Sequence, residues 1–145
     1  KHFVTLQEAS QRAHVDYDKH VQNHAERALG GYPDTANLKY VRGCAGFTGF
    51  APGKLSISGI EKFSLQMQQL VGAQKWHEWG SEQVASNFMV SNVEHSIVLP
   101  VDRYPFWKPG LDISQAALIH FFGTFRFIGG MYVRQGMRII ERLSK

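Results

Sequence analysis

The sequence predicts a mixed α/β fold in which helices flank a partial mixed sheet. Segments with helical periodicity alternate with short apolar runs typical of strands, and no repeat or low-complexity tract interrupts them. Of the 145 residues, 43% are hydrophobic and 19% are charged. This balance suits a folded protein and excludes a disordered tail or a coiled coil. Residues 1–145 are therefore expected to form a single domain.

The first predicted element is a long amphipathic helix over residues 6–29. Residues 5–8 read Thr-Leu-Gln-Glu, a capping-box pattern in which the first and last side chains bond each other's backbone N–H groups. Apolar residues then recur at helical spacing until Gly30, Gly31 and Pro33, which are typical of a helix end.

A short strand and a glycine-rich loop are predicted after this helix. Tyr40 and Val41 are residue types that strands favour. Residues 43–53 then contain four glycines around Phe47 and Phe50. Glycine at this density lets the backbone approach another group closely, so the loop is a candidate binding segment.

Two more helices are predicted in the middle of the chain. Ser58 begins a second capping-box pattern, and apolar residues at helical spacing continue from it to the break at Gly72. Another helix is expected from near Ser81 to Asn92, with Val84 on its buried side.

The carboxyl-terminal third is predicted to contain two short strands and a final helix. Residues 97–99 and 117–121 are apolar runs of the strand type, separated by a loop rich in proline and aromatic residues. Residues from about 131 to 143 have apolar side chains on one side of a helix and arginines on the other.

Positive charge is concentrated at this carboxyl end. The formal net charge is only +4, which is ordinary for an enzyme that acts on anionic substrates. Arg134, Arg138 and Arg142 recur every four residues and form one ridge on the predicted helix. Phosphate, acidic lipid and a nucleic-acid backbone are all possible partners of such a ridge.

Two other features restrict the class of protein. Cys44 is the only cysteine, which excludes an internal disulfide and a multi-cysteine zinc site and agrees with a reducing compartment. No apolar run approaches the roughly 20 residues that a membrane-spanning helix needs. A cytoplasmic protein is therefore expected.

The sharpest candidate site combines a histidine, a glycine and an arginine. His120 lies at the end of the apolar run of residues 117–121, Gly123 permits a tight turn, and Arg126 supplies a cation. At the end of a strand, an imidazole can ligate a metal and an arginine can clamp a phosphate. The alternative, which spacing alone favours, is a half-buried histidine bonded to a backbone carbonyl beside a solvated arginine.

Three segments, in order, resemble the retaining, metal-dependent glycosyltransferases of the GT-A (nucleotide-diphospho-sugar transferase) fold. The histidine-x-x-glycine-x-x-basic pattern that begins at His120 is similar to their carboxyl-terminal signature. Residues 46–53 resemble their glycine-containing loop, which lines the sugar-donor pocket. Residues 79–87 resemble their acidic-Gln segment, which opens a helix that faces donor and acceptor.

The resemblance implies transfer of a sugar from a nucleotide-diphosphate donor to an acceptor hydroxyl. It implies that His120 completes the coordination of Mn²⁺ or Mg²⁺, and that Arg126 contacts the diphosphate where the family usually has lysine. It also implies that Glu82 and Gln83 face the sugar or the acceptor as catalytic residues. Glu82 has a simpler interpretation as the acid of a helix N-terminus. The implied donor-binding residues are Gly46, Thr48, Gly49, Gly123 and Arg126.

The aspartate pair of this family has no clear counterpart. Asp16 and Asp18 have the Asp-x-Asp spacing, but the residues before them have helical periodicity and do not form a buried apolar run. We interpret both as solvated helix residues and expect an authentic pair in an upstream nucleotide-binding half. On this view the chain is the carboxyl-terminal portion of a larger catalytic domain.

A second metal hypothesis concerns the first helix. Asp16, His20 and His24 are spaced four residues apart and share one flank of that helix, a pattern that can bind Zn²⁺ or Ni²⁺. No fourth ligand is identifiable, and an exposed polar flank is the favoured interpretation.

The expected partners are a nucleotide-diphospho-sugar donor and a carbohydrate or lipid-linked acceptor, with peripheral membrane contact and no nucleic acid. Tyr104, Phe106 and Trp107 can either stack on a sugar ring or cover the core, and the sequence favours neither. The competing hypothesis is a non-enzymatic binding module whose basic final helix docks on anionic membrane or nucleic acid.

Overall fold

The computed structural model describes residues 2–12 and 20–145 of the chain. The predicted mixed α/β class is confirmed, and helices predominate. The predicted partial mixed sheet is wrong in the described structure, because the sheet there has two short strands that pair antiparallel. The chain divides into two compact units, Lys1–Val98 and Leu99–Lys145. The expectation that it is part of a larger catalytic domain stays a prediction.

The first unit contains most of the regular structure. In chain order its strands and α-helices are β1 (Val4–Thr5), α1 (Leu6–Arg12), α2 (Val21–Ala28), β2 (Lys39–Tyr40), α3 (Ile57–Val71), α4 (Ala73–Trp76) and α5 (Ser81–Ser91). Single 3-10 turns occupy Leu29–Gly31 and Ala45–Phe47.

The predicted capping box starts α1. The Thr5 backbone N–H donates to Glu8 Oε2 at 2.8 Å, and the Glu8 N–H donates to Thr5 Oγ1 at 3.3 Å. The prediction of one continuous helix over residues 6–29 is wrong at His20. This residue has extended backbone, and its Nδ1 accepts the Gln22 N–H at 3.2 Å, so it caps a separate helix, α2.

The strand predicted at Tyr40 is present but ends there. β1 and β2 pair antiparallel, with Val4 opposite Tyr40. The N–H of Val41 donates to Ser91 Oγ at 2.9 Å. Because a side chain of α5 takes this donor, the strand does not continue into the predicted second residue.

Helices α3 and α5 confirm their predictions, with one change at the start of α3. The capping hydroxyl belongs to Ser56, which accepts the Gly59 N–H at 3.2 Å, and not to Ser58. The rings of Phe63 on α3 and Phe88 on α5 stack with centroids 4.0 Å apart. The buried hydrophobic core of this unit comprises Leu6, Ala9, Val21, Ala25, Leu29, Tyr32, Tyr40, Phe63, Met67, Trp76, Val84 and Phe88.

The two strands predicted in the carboxyl-terminal third are absent from the described structure. In the described structure, residues 97–99 have no strand assignment, and residues 117–121 contribute only an isolated bridge between Phe106 and His120. The N–H groups of Ala117 and Leu118 both donate to the Arg103 carbonyl, at 2.8 and 3.3 Å. These donors close a loop, so they are not available to a sheet ladder.

The final helix confirms its prediction. α6 spans Met131–Leu143 and follows a 3-10 segment at Gly123–Gly130. Gly129 and Gly130 have φ values of 61° and 63°, a left-handed conformation that side chains rarely adopt. The two glycines therefore set the direction in which α6 leaves the segment before it.

Candidate functional site

His120 is held by its backbone in the second unit. Its N–H donates to the Pro105 carbonyl at 2.9 Å, and its own carbonyl accepts the Trp107 N–H at 3.0 Å. The imidazole lies beside two aromatic rings, with centroid distances of 4.9 Å to Phe106 and 6.3 Å to Phe122. The three rings form a cluster, which we call the aromatic cluster.

The electrostatics of His120 favour a neutral imidazole. Burial lowers the pKa of the half-buried His120 side chain below its ordinary value, because the charged form loses hydration. His120 is half-buried and Arg126 is exposed, as the simpler interpretation expects, although in the described part of the chain the imidazole makes no hydrogen bond to a backbone carbonyl. A neutral imidazole keeps a lone pair with which to accept a proton or ligate a metal.

Gly123 and Arg126 form a compact turn after His120. Gly123 has a φ of 54°, which explains why a glycine stands there. The Arg126 Nε donates to the Gly123 carbonyl at 2.9 Å, and the guanidinium carbon lies 5.5 Å from the centroid of the Phe127 ring. The arginine is exposed, so its guanidinium is oriented by the turn and remains accessible to an anion.

The aromatic loop separates into two roles. Trp107 is buried, and its ring lies 5.7 Å from that of Phe121, so it belongs to the core of the second unit. Phe106 is 40% exposed beside His120, and Tyr104 is half-buried. Of the three candidates for stacking on a sugar, Phe106 therefore offers the accessible ring face.

The glycine loop is exposed and has few contacts. Gly46 lies in the 3-10 turn Ala45–Phe47, and a Cβ added at Gly49 would meet no atom within 4 Å. The Thr48 hydroxyl donates to the Cys44 carbonyl at 2.9 Å. Thr48 thus stabilises the turn, and the sequence-predicted role of these three residues in donor binding stays a prediction.

Glu82 and Gln83 lie in the first turn of α5 and make local structural contacts. Glu82 Oε2 accepts the Gly80 N–H at 2.8 Å, which agrees with the interpretation as the acid of a helix N-terminus. Gln83 Nε2 donates to Gln22 Oε1 at 2.6 Å, which connects α5 to α2. Their proposed catalytic roles stay predictions.

The first unit contains a buried carboxylate that the sequence analysis did not single out. Glu26 is 3% exposed. Its Oε1 accepts from the Tyr40 hydroxyl at 2.8 Å and from Gln22 Nε2 at 3.0 Å, and its Oε2 lies 3.3 Å from Arg42 Nε. Burial, together with the Glu26 charge, raises the pKa of Tyr40 well above its usual range.

This buried polar cluster joins three elements of the first unit. Asn87 on α5 donates to the Tyr40 hydroxyl at 3.3 Å, and Arg42 donates to Asn23 on α2. Because charge and hydrogen bonds are satisfied inside the protein, the cluster acts as a structural connection between α2, β2 and α5. Gln22 and Glu26 lie four residues apart on α2, each directly after a buried apolar residue, Val21 or Ala25. This spacing beside the apolar stripe was the sequence feature that could have indicated a buried polar pair.

The first unit also has an open groove of about 530 Å³. Tyr32, Leu38 and Phe88 supply apolar walls, while Lys54, Lys62 and Glu94 supply charge. The lining contains none of the donor-site or catalytic residues predicted from sequence. The groove is therefore separate from the predicted site, and its mixed charges identify no ligand.

The implied divalent metal does not fit the described residues alone. They contain no group of three or more His, Cys, Asp or Glu side chains placed to hold a metal ion. His120 offers one ligand, and a Mn²⁺ or Mg²⁺ site needs several oxygen donors. Asp16 and Asp18 lie outside the described residues. The second metal hypothesis also needs Asp16, so it stays a prediction. The side chain of His20, another of its candidate ligands, caps α2.

No protein-family model, curated protein or solved structure matches this chain. The GT-A resemblance therefore depends on the three sequence segments. Two of these segments, residues 46–53 and 79–87, lie in the first unit, and the turn from His120 to Arg126 lies in the second. Of the residues predicted from sequence, those of this turn and the adjoining aromatic cluster form the best candidate site, because they place an exposed cation, a half-buried imidazole and an exposed ring in one segment of the second unit.

Proposed function

We propose that this chain belongs to the donor- and acceptor-binding part of a glycosyltransferase of the GT-A type. It would help to move a sugar from a nucleotide-diphosphate donor to an acceptor hydroxyl. The observation that carries the proposal is the turn from His120 to Arg126, where an oriented, exposed guanidinium follows a neutral imidazole beside an exposed ring.

Each part of this arrangement suits one part of a nucleotide-diphospho-sugar. An exposed guanidinium pairs with the oxygens of a diphosphate through charge-assisted hydrogen bonds. The face of Phe106 suits the C–H face of a sugar ring, because both are apolar and flat. The neutral His120 can accept a hydrogen bond or contribute one ligand to a metal that the diphosphate brings with it.

In the proposed reaction, Arg126 stabilises the negative charge that develops on the leaving diphosphate. In sugar transfer, the bond between the anomeric carbon and the diphosphate oxygen breaks, a bond from that carbon to the acceptor oxygen forms, and the proton of the acceptor hydroxyl passes to the departing diphosphate. The bonding electrons leave with the diphosphate, whose negative charge grows in the transition state. A preoriented cation at this position lowers the barrier by stabilising the developing charge.

Calorimetry with nucleoside diphosphates and nucleotide-sugars, each with and without Mn²⁺, tests this function. We expect Arg126→Gln to weaken diphosphate binding about 10- to 150-fold, because a charge-assisted hydrogen bond contributes about 1.5–3 kcal/mol. We expect His120→Ala to reduce the metal-dependent part of the affinity, because His120 offers one ligand to a metal that the diphosphate brings.

Arg103→Gln and His77→Ala are matched controls, because Arg103 and His77 are also exposed and have no role in the proposal. Both controls should bind as the unmodified chain does. If nucleotide-sugars do not bind, the proposed function is wrong. If metal-dependent affinity is the same in His120→Ala, His120 has no part in the mechanism.

A further inference from the structure

The final helix, α6, has an apolar face that the described structure leaves exposed. Six apolar side chains are each more than half exposed, and no residue of the helix is buried. These six are Tyr132, Val133, Met137, Ile139, Ile140 and Leu143. They recur at spacings of three, four and seven residues, so they share one face.

The opposite face of α6 is cationic. Arg134, Arg138 and Arg142 lie at successive four-residue steps, and Lys145 follows the helix. Glu141 is the single acid in residues 131–145. A helix with one apolar and one cationic face matches an environment that has an apolar interior beneath a layer of negative charge.

We propose that α6 lies in the surface of an anionic lipid bilayer. Its apolar face enters the boundary between headgroups and acyl chains, and its arginines and lysine contact lipid phosphates and carboxylates. None of the helices in the described part of the chain is long and apolar enough to cross a membrane. The proposed geometry is accordingly a helix parallel to the surface, embedded by roughly 5–10 Å.

Charge favours a bilayer over a second copy of the chain. Two copies that packed the apolar faces of their α6 helices together would leave both cationic faces pointing outward, with one Glu141 on each helix to compensate. Such a dimer supplies no opposite charge to the arginines. Anionic lipid supplies the opposite charge over the whole length of the helix.

The apolar face favours a bilayer over nucleic acid. The arginine ridge alone would suit a phosphate backbone, but such binding leaves six apolar side chains in water. A bilayer accommodates both faces at once. The inference does not depend on the proposed sugar transfer, so each can fail without the other.

Vesicle co-sedimentation of the whole chain tests the inference. The probes are vesicles of phosphatidylcholine with about one-third phosphatidylserine and vesicles of phosphatidylcholine alone, over a salt series. We expect binding to the anionic vesicles that weakens with salt. Arg134→Gln, Arg138→Gln and Arg142→Gln together should weaken it about a hundredfold, since each cation near such a surface contributes about a factor of five.

A second variant tests insertion of the apolar face. Ile140→Gln with Leu143→Gln should weaken binding at least about tenfold, because burial of each aliphatic side chain is favourable. Ile57→Gln with Leu65→Gln alters two similarly exposed residues of α3 and should leave binding unchanged. Lys54→Gln, Lys62→Gln and Lys108→Gln together are the control for charge. Circular dichroism confirms that each variant is folded.

Four outcomes would overturn the inference. The first is no binding to anionic vesicles, and the second is binding that the Ile140→Gln, Leu143→Gln variant retains in full. The third is a dimer of the unmodified chain, seen by analytical ultracentrifugation, that does not bind vesicles and that the Ile140→Gln, Leu143→Gln variant does not form. This result would assign the apolar face of α6 to contact with a second copy of the chain. Salt-sensitive binding to an oligonucleotide but not to vesicles would likewise assign the arginine ridge to nucleic acid.

Discussion

At the scale of single residues, the environment of Glu26 decides its role. A carboxylate this deeply buried is unfavourable unless its oxygens are paired. Here Tyr40 and Gln22 share one oxygen, and Arg42 pairs with the other. The Arg42 guanidinium is partly exposed, but it supplies the positive charge beside this buried carboxylate, so its removal is expected to be destabilising because the Glu26 charge loses that counter-ion.

The Tyr40 hydroxyl provides the sharpest test of this cluster. Tyr40→Phe removes a donor to Glu26 and an acceptor for Asn87 while it keeps the buried ring. We expect the free energy of unfolding to fall by about 1–3 kcal/mol, because two buried polar groups each lose a partner. Urea denaturation measures the change. Tyr132→Phe, at an exposed ring, should change it by less than about 0.5 kcal/mol; equal effects would contradict the prediction.

The raised pKa of Tyr40 also predicts how stability depends on pH. The unfolded chain loses the Tyr40 proton near its usual pKa of 10.0, whereas the folded chain retains it to higher pH. The stabilising contribution is therefore complete below about pH 10 and decreases as pH rises toward the folded-state pKa. Unfolding free energies measured from neutral to strongly alkaline pH should decrease more steeply for the unmodified chain than for Tyr40→Phe. Parallel curves would contradict this expectation.

His120 has the opposite kind of shift, and its cause can be tested. Burial lowers its pKa, and Phe106 is the nearest ring, at 4.9 Å. Phe106→Ala should expose the imidazole and return its pKa toward the usual value of 6.5. NMR titration of the ring protons measures both pKa values. Phe127→Ala, at an exposed ring outside the cluster, is the control and should leave the His120 pKa unchanged.

At the scale of elements, helix ends depend on side chains within a few residues. The capping box at Thr5 and Glu8 forms as its sequence predicts, since both partners lie within one turn. At α3 two serines compete for the capping position. The backbone becomes helical at Ile57, so Ser56 and not Ser58 has the extended conformation that a cap requires.

The two serines allow a matched test of this cap. Ser56→Ala removes the acceptor of the Gly59 N–H, and we expect it to lower the free energy of unfolding by about 1 kcal/mol. Ser58→Ala lies two residues away, inside the helix; it removes a hydroxyl that lies 2.9 Å from Ser56 Oγ but leaves the cap itself in place, so it should cost less than Ser56→Ala. Thermal or urea denaturation of both variants measures the difference. A larger loss in Ser58→Ala would assign the cap to the position expected from sequence.

Helices were predicted better than strands for a physical reason. The amphipathic patterns of α5 and α6 and the capping box of α1 involve residues within a turn or two of one another. A strand needs a partner elsewhere in the chain. Residues 117–121 have a strand-like composition, but two of their N–H groups donate to the Arg103 carbonyl. The residues near them in sequence do not show that this carbonyl will bind those N–H groups in place of a neighbouring strand.

At the scale of the whole molecule, the two units differ in how much apolar surface they bury. The buried hydrophobic residues of the described structure lie in the first unit, with the exception of Trp107. Apolar burial is the main favourable contribution to folding. The second unit therefore has fewer contacts that protect its backbone from opening.

Hydrogen exchange measures this difference directly. We expect the amides of α3 and α5 to exchange slowly, because Phe63, Met67, Val84 and Phe88 anchor both helices in the core. Those of α6 should exchange at least about tenfold faster when the chain is free in solution, since none of its residues is buried. Protection of α6 equal to that of α3 would contradict the expectation. Slower exchange of α6 upon addition of anionic vesicles would agree with the proposed membrane contact.

The sequence by itself determined the mixed α/β class, the capping box of α1, the helices α3, α5 and α6, and the two faces of α6. Each depends on neighbours in the chain, whose geometry the helix period fixes. Tertiary structure alone decided that His120 stands beside Phe106 with a lowered pKa, that Gln83 bonds Gln22, and that Glu26 is buried among donors. These arrangements join residues that are far apart in sequence, and burial, which sets their charge states, exists only once the chain has folded.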